Sequence, residues 1–259
     1  ILIGERINAG FRDIREAITE KKSDVIRDWA KRQADAKADY LDVNMGTASK
    51  DPATLCWMIE QVQSVTDLPV SIDNNKPALL KEAIPVCNKP PIVNSTTAET
   101  ASLDLLFPIV ARHGASIIGL AMDEEGSPPN AEKRVENAGK IIEKAMEYGI
   151  PMESLFLDPI VMPLKFKQEQ AAPVLEAVSQ FTLFSDPPCH IVCGLSNVSI
   201  GAKHKKLLAR VFITMLIAQG MDAVILDVTD TELVDTILTA ELVMNRQIYA
   251  DSYIEAFRG

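Results

Sequence analysis

Short apolar runs recur along the chain. Each is followed by a longer segment in which apolar positions return every three or four residues. The runs are Leu2–Asn8, Ala38–Gly46, Pro69–Asn74, Pro91–Ser95, Ala115–Met122, Ser154–Ile160, His190–Asn197 and Asp222–Val228, eight in all. They are continuous rather than alternating, as strands covered on both faces are, and their Ile, Val and Leu content favours strand. The intervening segments read as helices over Phe11–Ala36, Asp51–Val65, Pro77–Val86, Ala98–His113, Asn130–Tyr148, Gln168–Phe184, Lys203–Gln219 and Asp230–Met244. Ser23 or Asp24 is the expected N-cap of the second part of the first of these, VIRDWAKRQADA. Pro77 suits a first helical turn. The pairs His113-Gly114, Tyr148-Gly149 and Gln219-Gly220 read as helix stops, each just before a strand.

Eight strand–helix pairs with no linker or composition break predict an α/β fold. The expected form is a closed (β/α)8 barrel, or TIM barrel, with residues 1–259 as a single domain. The length agrees, since such barrels run to about 250 residues. An open doubly wound sheet is the competing arrangement. Its glycine-rich turn after the first strand is missing, because AGFRDI follows Asn8.

Composition narrows the function. Hydrophobic residues make up 47% and charged residues 24%, and the net charge is −10. An acidic chain is a poor partner for nucleic acid, which needs a basic surface. No run of about 18 apolar residues is present, so no membrane span is expected. The opening ILIGERIN has none of the marks of a secretion signal. Cys56, Cys87, Cys189 and Cys193 match no zinc or iron–sulfur spacing and read as reduced, mostly buried thiols of a cytoplasmic protein.

In this architecture chemistry sits at the C-terminal ends of the strands. Here those ends are polar: Glu5-Arg6-Ile7-Asn8, Asp42-Val43-Asn44, Asp73-Asn74-Asn75, Asn94-Ser95-Thr96, Met122-Asp123, Asp158-Pro159, Ser196-Asn197 and Asp227. One Asp or Asn at a turn is ordinary capping, but eight converging ends describe a pocket. No lysine ends a strand, which argues against Schiff-base chemistry. His113, His190 and His204 are scattered without metal-ligand spacing, and no nucleophile motif for acyl transfer appears. The remaining chemistry is that of a site for a neutral ring rich in hydrogen-bonding groups. A carboxylate can accept two parallel N–H bonds from an aminopyrimidinone edge.

The segments LIGERIN (2–8), LDVNMG (41–46), SIDN (71–74), VNST (93–96), FLDPI (156–160) and GLSNVS (194–199) resemble, in order, those of the pterin-binding family. Within that family the likeness is to the methyltransferases that pair a folate with a corrinoid protein, and it extends to the closing NRQIYADSYIEAFR (245–258). The resemblance implies an enzyme that moves the N5 methyl group between 5-methyltetrahydrofolate and the cobalt of a corrinoid protein. Such a step belongs to acetyl-CoA synthesis or to a demethylase system. By the same likeness Asp73, Asn94 and Asp158 hold the pterin, and Asn197 reaches N5. Ser196 and Gly194 neighbour it, and Asp42 and Asn44 complete the floor. Tetrahydrofolate or its 5-methyl form is then the small-molecule substrate. Cobalamin arrives on a partner, this chain binds no metal, and the protein is a homodimer. The cobalamin signature DxHxxG is absent, since Ala111, Pro188 and Ala202 stand two residues before the three histidines.

Three positions depart from the family pattern: Ile200 in place of a polar Gln, Lys205 in place of an Arg, and Asn74-Asn75 in place of smaller hydroxylated residues. They bear on the folate tail and the identity of the partner rather than on the ring. Two alternatives stand beside this reading. A dihydropteroate synthase-like enzyme needs basic strand ends for pyrophosphate, and Arg6 is the clear one here, with Lys203, Lys205 and Lys206 beyond strand seven. A non-catalytic folate-binding subunit needs no Asn197.

Overall fold

A computed structural model describes all 259 residues. Eight parallel strands alternate with helices, in the spatial order β7-β6-β5-β4-β3-β2-β1-β8. The strands are β1 (Leu2–Asn8), β2 (Tyr40–Asn44), β3 (Val70–Asp73), β4 (Ile92–Thr97), β5 (Ser116–Leu120), β6 (Leu155–Asp158), β7 (His190–Ile191) and β8 (Val224–Leu226). The two ends of this series meet. Ala223 N donates to Ile191 O at 3.1 Å and Ile225 N to Cys193 O at 2.9 Å, closing the barrel predicted from the sequence. All eight expected strands are present, and most are shorter than their apolar runs, because the runs extend into the buried loops at each strand end.

The first expected helix is two, α1 (Arg12–Glu20) and α2 (Ser23–Asp35), broken where Lys21 takes a left-handed conformation (φ 54°). Ser23 is the first residue of α2 rather than its cap. Lys22 occupies the cap position and makes no side-chain capping bond. The others follow as α3 (Pro52–Gln63), α4 (Pro77–Ala83, continued by a 3-10 turn to Val86), α5 (Thr100–His113), α6 (Ala131–Glu147), α7 (Leu164–Lys167), α8 (Ala171–Phe181), α9 (Lys205–Gln219), α10 (Thr231–Val243) and α11 (Tyr253–Arg258). Asp51, Asn130 and Asp230 cap α3, α6 and α10 through their side chains. Gly114 and Gly220 close α5 and α9 in left-handed conformations that a β-carbon would oppose. No sequence signal marks the single turn α7 or α11, the latter held to α10 by Arg258–Asp235 and by the Tyr253–Thr239 hydroxyl pair at 2.8 Å.

Strand alternation sorts the interior. Leu41, Val43, Val70, Ile72, Val93, Ile117, Leu155 and Leu157 belong to a core of 63 buried residues between strands and helices. The opposite faces meet inside the barrel, where Ile3, Ile92, Ile118, Phe156, Val192 and Ala223 form a second cluster of 6. Two residues further along those same faces Glu5, Asn94 and Asp158 replace the apolar column on β1, β4 and β6, while Leu120 keeps β5 apolar. The register places Asp42 beside Ser71 and Ile92, and Asp73 beside Asn94 and Ile118. A dry plug therefore floors a polar basin at the C-terminal ends of the strands. No helix is long and apolar enough to cross a membrane.

Candidate functional site

The floor of the basin is two hydrogen-bonded groups built from β2, β3 and β4. Asp42, buried on β2, accepts from Ser71 Oγ at 2.6 Å and from Asn94 Nδ2 at 3.1 Å, both through Oδ1. Asn44 Nδ2 donates to Asp73 Oδ2, while Asn44 Oδ1 accepts the Gly46 N–H at 2.6 Å. Asn44, Asp73 and Asn94, with Asn74, Asn75, Lys76 and Ser95 beside them, line a recess of about 290 Å³ without a single apolar side chain. Asp42 thus orients Asn94, and Asn44 fixes the rotamer of Asp73. Four of the residues singled out in the sequence come together here.

Asp158 stands across the basin at the end of β6. Its Oδ1 accepts the N–H of Ile160 at 2.7 Å, and it makes no bond to the β2–β4 groups. Its setting depends on Arg134 of α6, a fully buried guanidinium. Nε of Arg134 donates to Pro159 O at 2.6 Å, Nη1 to Pro128 O and Asn130 O, and Nη2 to Ile160 O and Gln170 Oε1. One side chain thereby ties the β5 and β6 loops together. Nothing in the sequence hints at it, since an Arg in a polar helical pattern reads as solvated.

Gly194, Ser196 and Asn197 lie beyond β7, which ends at Ile191, so they belong to a loop and a 3-10 turn (Leu195–Ser199) rather than to the strand end. Ser196 and Asn197 are exposed at the mouth. Ser196 Oγ donates to Glu5 Oε2 at 3.1 Å. A β-carbon on Gly194 would come within 3.1 Å of Asn197 Nδ2, so the glycine leaves the space that the Asn197 amide fills. Two other polar ends point elsewhere. Asp123 is buried in an ion pair with Lys133 at 2.9 Å. Arg6 turns out of the barrel to pair with Asp13 at 3.1 Å and to stack between Phe11 and Trp29, 3.7 and 3.9 Å from their ring centroids.

The basin is therefore rich in carboxyl groups. In spatial order β8, β1, β2 and β3 contribute Asp227, Glu5, Asp42 and Asp73, with no cation from a strand end facing them. Burial, reinforced by the Asp73 carboxylate, raises Asp42 well above the ordinary carboxylate range against the pull of Ser71 and Asn94. Burial also raises Asp73, opposed by the Asn44 amide. Glu5 is pushed up to about 7 by burial and by Asp227, opposed by the Ser196 hydroxyl and Arg6. Asp158 rises to about 7 by burial, against the Ile160 N–H and Arg134. Carboxyls of this kind present both donors and acceptors near neutral pH, which suits a flat heterocycle carrying amide, amine and ring-nitrogen groups. No group of three or more His, Cys, Asp and Glu side chains is arranged to hold a metal ion.

Fold and basin together define a (β/α)8 barrel with a carboxyl- and amide-lined basin at its C-terminal mouth. The chain belongs to the pterin-binding family: the profile described as "Pterin binding enzyme" matches residues 4–227. It is 32% identical to the methylcorrinoid:tetrahydrofolate methyltransferase of Eubacterium limosum, over 100% of this chain and 96% of that protein. It is 26% identical to methionine synthase of Mycobacterium tuberculosis over 87% of this chain, a stretch that makes up 20% of that longer protein. Among solved structures, dihydropteroate synthase from Thermus thermophilus superposes with a TM-score of 0.66 at 18% identity, covering 95% of this chain and 94% of that one. At that identity the likeness is one of fold.

Proposed function

We propose that this protein transfers a methyl group between N5 of 5-methyltetrahydrofolate and the cobalt of a corrinoid held by a separate protein. The observation that carries the reading is the paired acid–amide floor, Asp42 with Asn94 and Asp73 with Asn44, facing inward beneath a loop that presents Asn197. Whole-length similarity to an enzyme named for that chemistry supports it. In this reading Asp73, Asn94 and Asp158 bind the pterin edge, and Asp42 and Asn44 hold them in place. Gly194 and Ser196 shape the turn from which Asn197 reaches N5.

A methyl group on N5 leaves poorly from a neutral amine unless charge growing on nitrogen is met by a hydrogen bond or a proton. The Asn197 amide supplies a hydrogen bond that strengthens as N5 becomes more basic, which is stabilisation specific to the transition state. The reduced corrinoid supplies the nucleophile, so the barrel has only to orient the folate and keep its mouth open. The strand ends carry no inward-facing cation, because Arg6 points outward to Asp13. That is the wrong electrostatics for a reaction that expels pyrophosphate.

We extend the proposal to the protein's setting. A cytoplasmic location agrees with four unpaired thiols. A homodimer agrees with the apolar stripe on α9, where Leu207, Val211 and Met215, spaced four apart, are 63%, 52% and 45% exposed. The functional test is anaerobic incubation of the protein with methyltetrahydrofolate and cob(I)alamin, followed by cobalt absorbance. Appearance of methylcobalamin is the expected result. Absence of folate binding would overturn the site assignment, and binding without transfer in either direction would leave a folate-binding subunit.

A further inference from the structure

The family resemblance assigns no role to Glu5, yet this residue occupies a distinctive place. It lies on β1 two residues beyond Ile3 on the inner face, at the level where the apolar plug gives way to the basin. Its carboxyl makes the one side-chain hydrogen bond that reaches the Leu195–Ser199 turn from another part of the barrel, accepting from Ser196 Oγ at 3.1 Å. That bond joins residues 191 positions apart in sequence. Within itself the turn is held by long bonds: Asn197 N to Gly194 O at 3.2 Å, Ile200 N to Asn197 O at 3.3 Å and Ser199 Oγ to Ser196 O at 3.2 Å. Leu195 and Val198 bury the turn's backbone in the core, but Ser196 and Asn197 are exposed, so the orientation of their side chains depends on partners outside the turn.

We propose that Glu5 is a positioning residue for methyl transfer, anchoring Ser196 and through it the orientation of the adjacent Asn197 amide. This inference rests on the functional reading above. The groups facing Glu5 are Asp227, just past β8, and Asp42 from β2, while Arg6 on its own strand is engaged outward by Asp13. Lys205, Lys206 and Asp230 line the same cleft as Glu5 and Ser196, and Lys206 is paired with Asp230 at 3.0 Å. Glu5 therefore meets like charge on two sides inside the barrel, while Arg6 and Lys206 are paired with Asp13 and Asp230. A carboxyl in that setting titrates near neutrality, and the turn it anchors responds to its charge.

The test is steady-state transfer from methyltetrahydrofolate to cob(I)alamin for the wild type, Glu5→Ala, Glu5→Gln, Ser196→Ala and the Glu5→Ala/Ser196→Ala pair. Misorientation of one catalytic contact costs roughly tenfold to a hundredfold in rate. Glu5→Ala should lose kcat on that scale with its KM for folate within about twofold, the pattern of an interaction expressed only in the transition state. Ser196→Ala should behave alike, and the double variant should be no slower than either single one, because both remove the same link. Glu5→Gln keeps the acceptor and should restore most of the rate, while removing the step near pH 7 expected in the wild-type kcat profile. An unchanged kcat in Glu5→Ala would overturn the inference. So would additive losses in the pair, or a Glu5→Gln profile identical to that of the wild type. A wild type that moves no methyl group at all would defeat the functional reading itself, a result separate from any of these.

Discussion

Asn94 Nδ2 reaches Asp42 Oδ1 at 3.1 Å across a strand that lies between them. In a flat sheet, strands two places apart are separated by about 9–10 Å, beyond the reach of these side chains. The bond exists because the barrel curls, so that inner faces converge as they rise. Ser71, on the intervening strand, donates to the same oxygen. The consequence is a floor in which Asn94 and Asp73 are each oriented by a neighbour contributed by a different β–α unit.

That coupling predicts how the floor fails. Asp73→Ala removes the carboxyl proposed to bind the ring and leaves Asn44 Nδ2 without an acceptor. Folate affinity should fall by about tenfold to a hundredfold, the loss of one charged hydrogen bond, with the barrel still folded. Isothermal titration with tetrahydrofolate measures it, and unchanged affinity would remove Asp73 from the site.

Asn197→Ala separates binding from chemistry. A donor aimed at developing charge is worth roughly a hundredfold or more in rate, whereas the ring contacts proposed above lie on β3, β4 and β6. The expected outcome is a large drop in kcat for methyl transfer with folate affinity nearly unchanged. Equal losses in both would make Asn197 a binding residue only.

Gly194→Ala tests the same contact from beneath. The new β-carbon would sit 3.1 Å from Asn197 Nδ2, displacing the exposed amide rather than the backbone. The melting temperature should hold while kcat falls in the same sense as in Asn197→Ala. A fully active Gly194→Ala would show that the amide is not confined to its present position.

Buried carboxyls set a pH dependence of stability. Glu5 and Asp158 hold protons up to about 7 in the fold, whereas in the unfolded chain they lose them near 4. Between those values the native state binds more protons, so the contribution of these two groups to stability is full below about pH 4 and is lost as pH rises through about 7. Thermal melts of the ligand-free protein should show this decline. Glu5→Gln should flatten part of it and raise the melting temperature at pH 8 by about 2–4 °C for each ~1 kcal/mol recovered.

Arg134 carries a prediction about stability. Its replacement by Met leaves carbonyls of Pro128, Asn130, Pro159 and Ile160 without their donor. Loss of one partner from a buried charged network costs about 3–5 kcal/mol, so denaturant unfolding should shift by that amount. Folate binding should weaken with it, because the Asp158 loop loses its tie. A stability change below about 1 kcal/mol would contradict the arrangement.

Much of this protein is legible in its sequence. Continuous apolar runs between helical segments define eight β–α units, because parallel strands buried on both faces leave no room for polar alternation. Gly114 and Gly220 mark helix ends, since only glycine enters the left-handed region freely. The polar strand ends place the basin, and the ordered motifs place the family. Other features have no local signal. Lys21 breaks the first helix although nothing in its neighbourhood demands it. Arg6 and Asp123 look like site residues at strand ends, yet Trp29, Phe11 and Asp13 capture the one and Lys133 the other. Arg134 looks solvated and is buried. Glu5 stands beside Arg6 in the chain and on the opposite side of the strand, where Ser196 and Asp227 await it. In most of these cases the deciding partner lies on a different β–α unit. The sequence by itself determines which segments become strands and helices, because those follow from local periodicity. Only the closed barrel decides which polar groups face one another, because that depends on curvature and register between segments far apart in the chain.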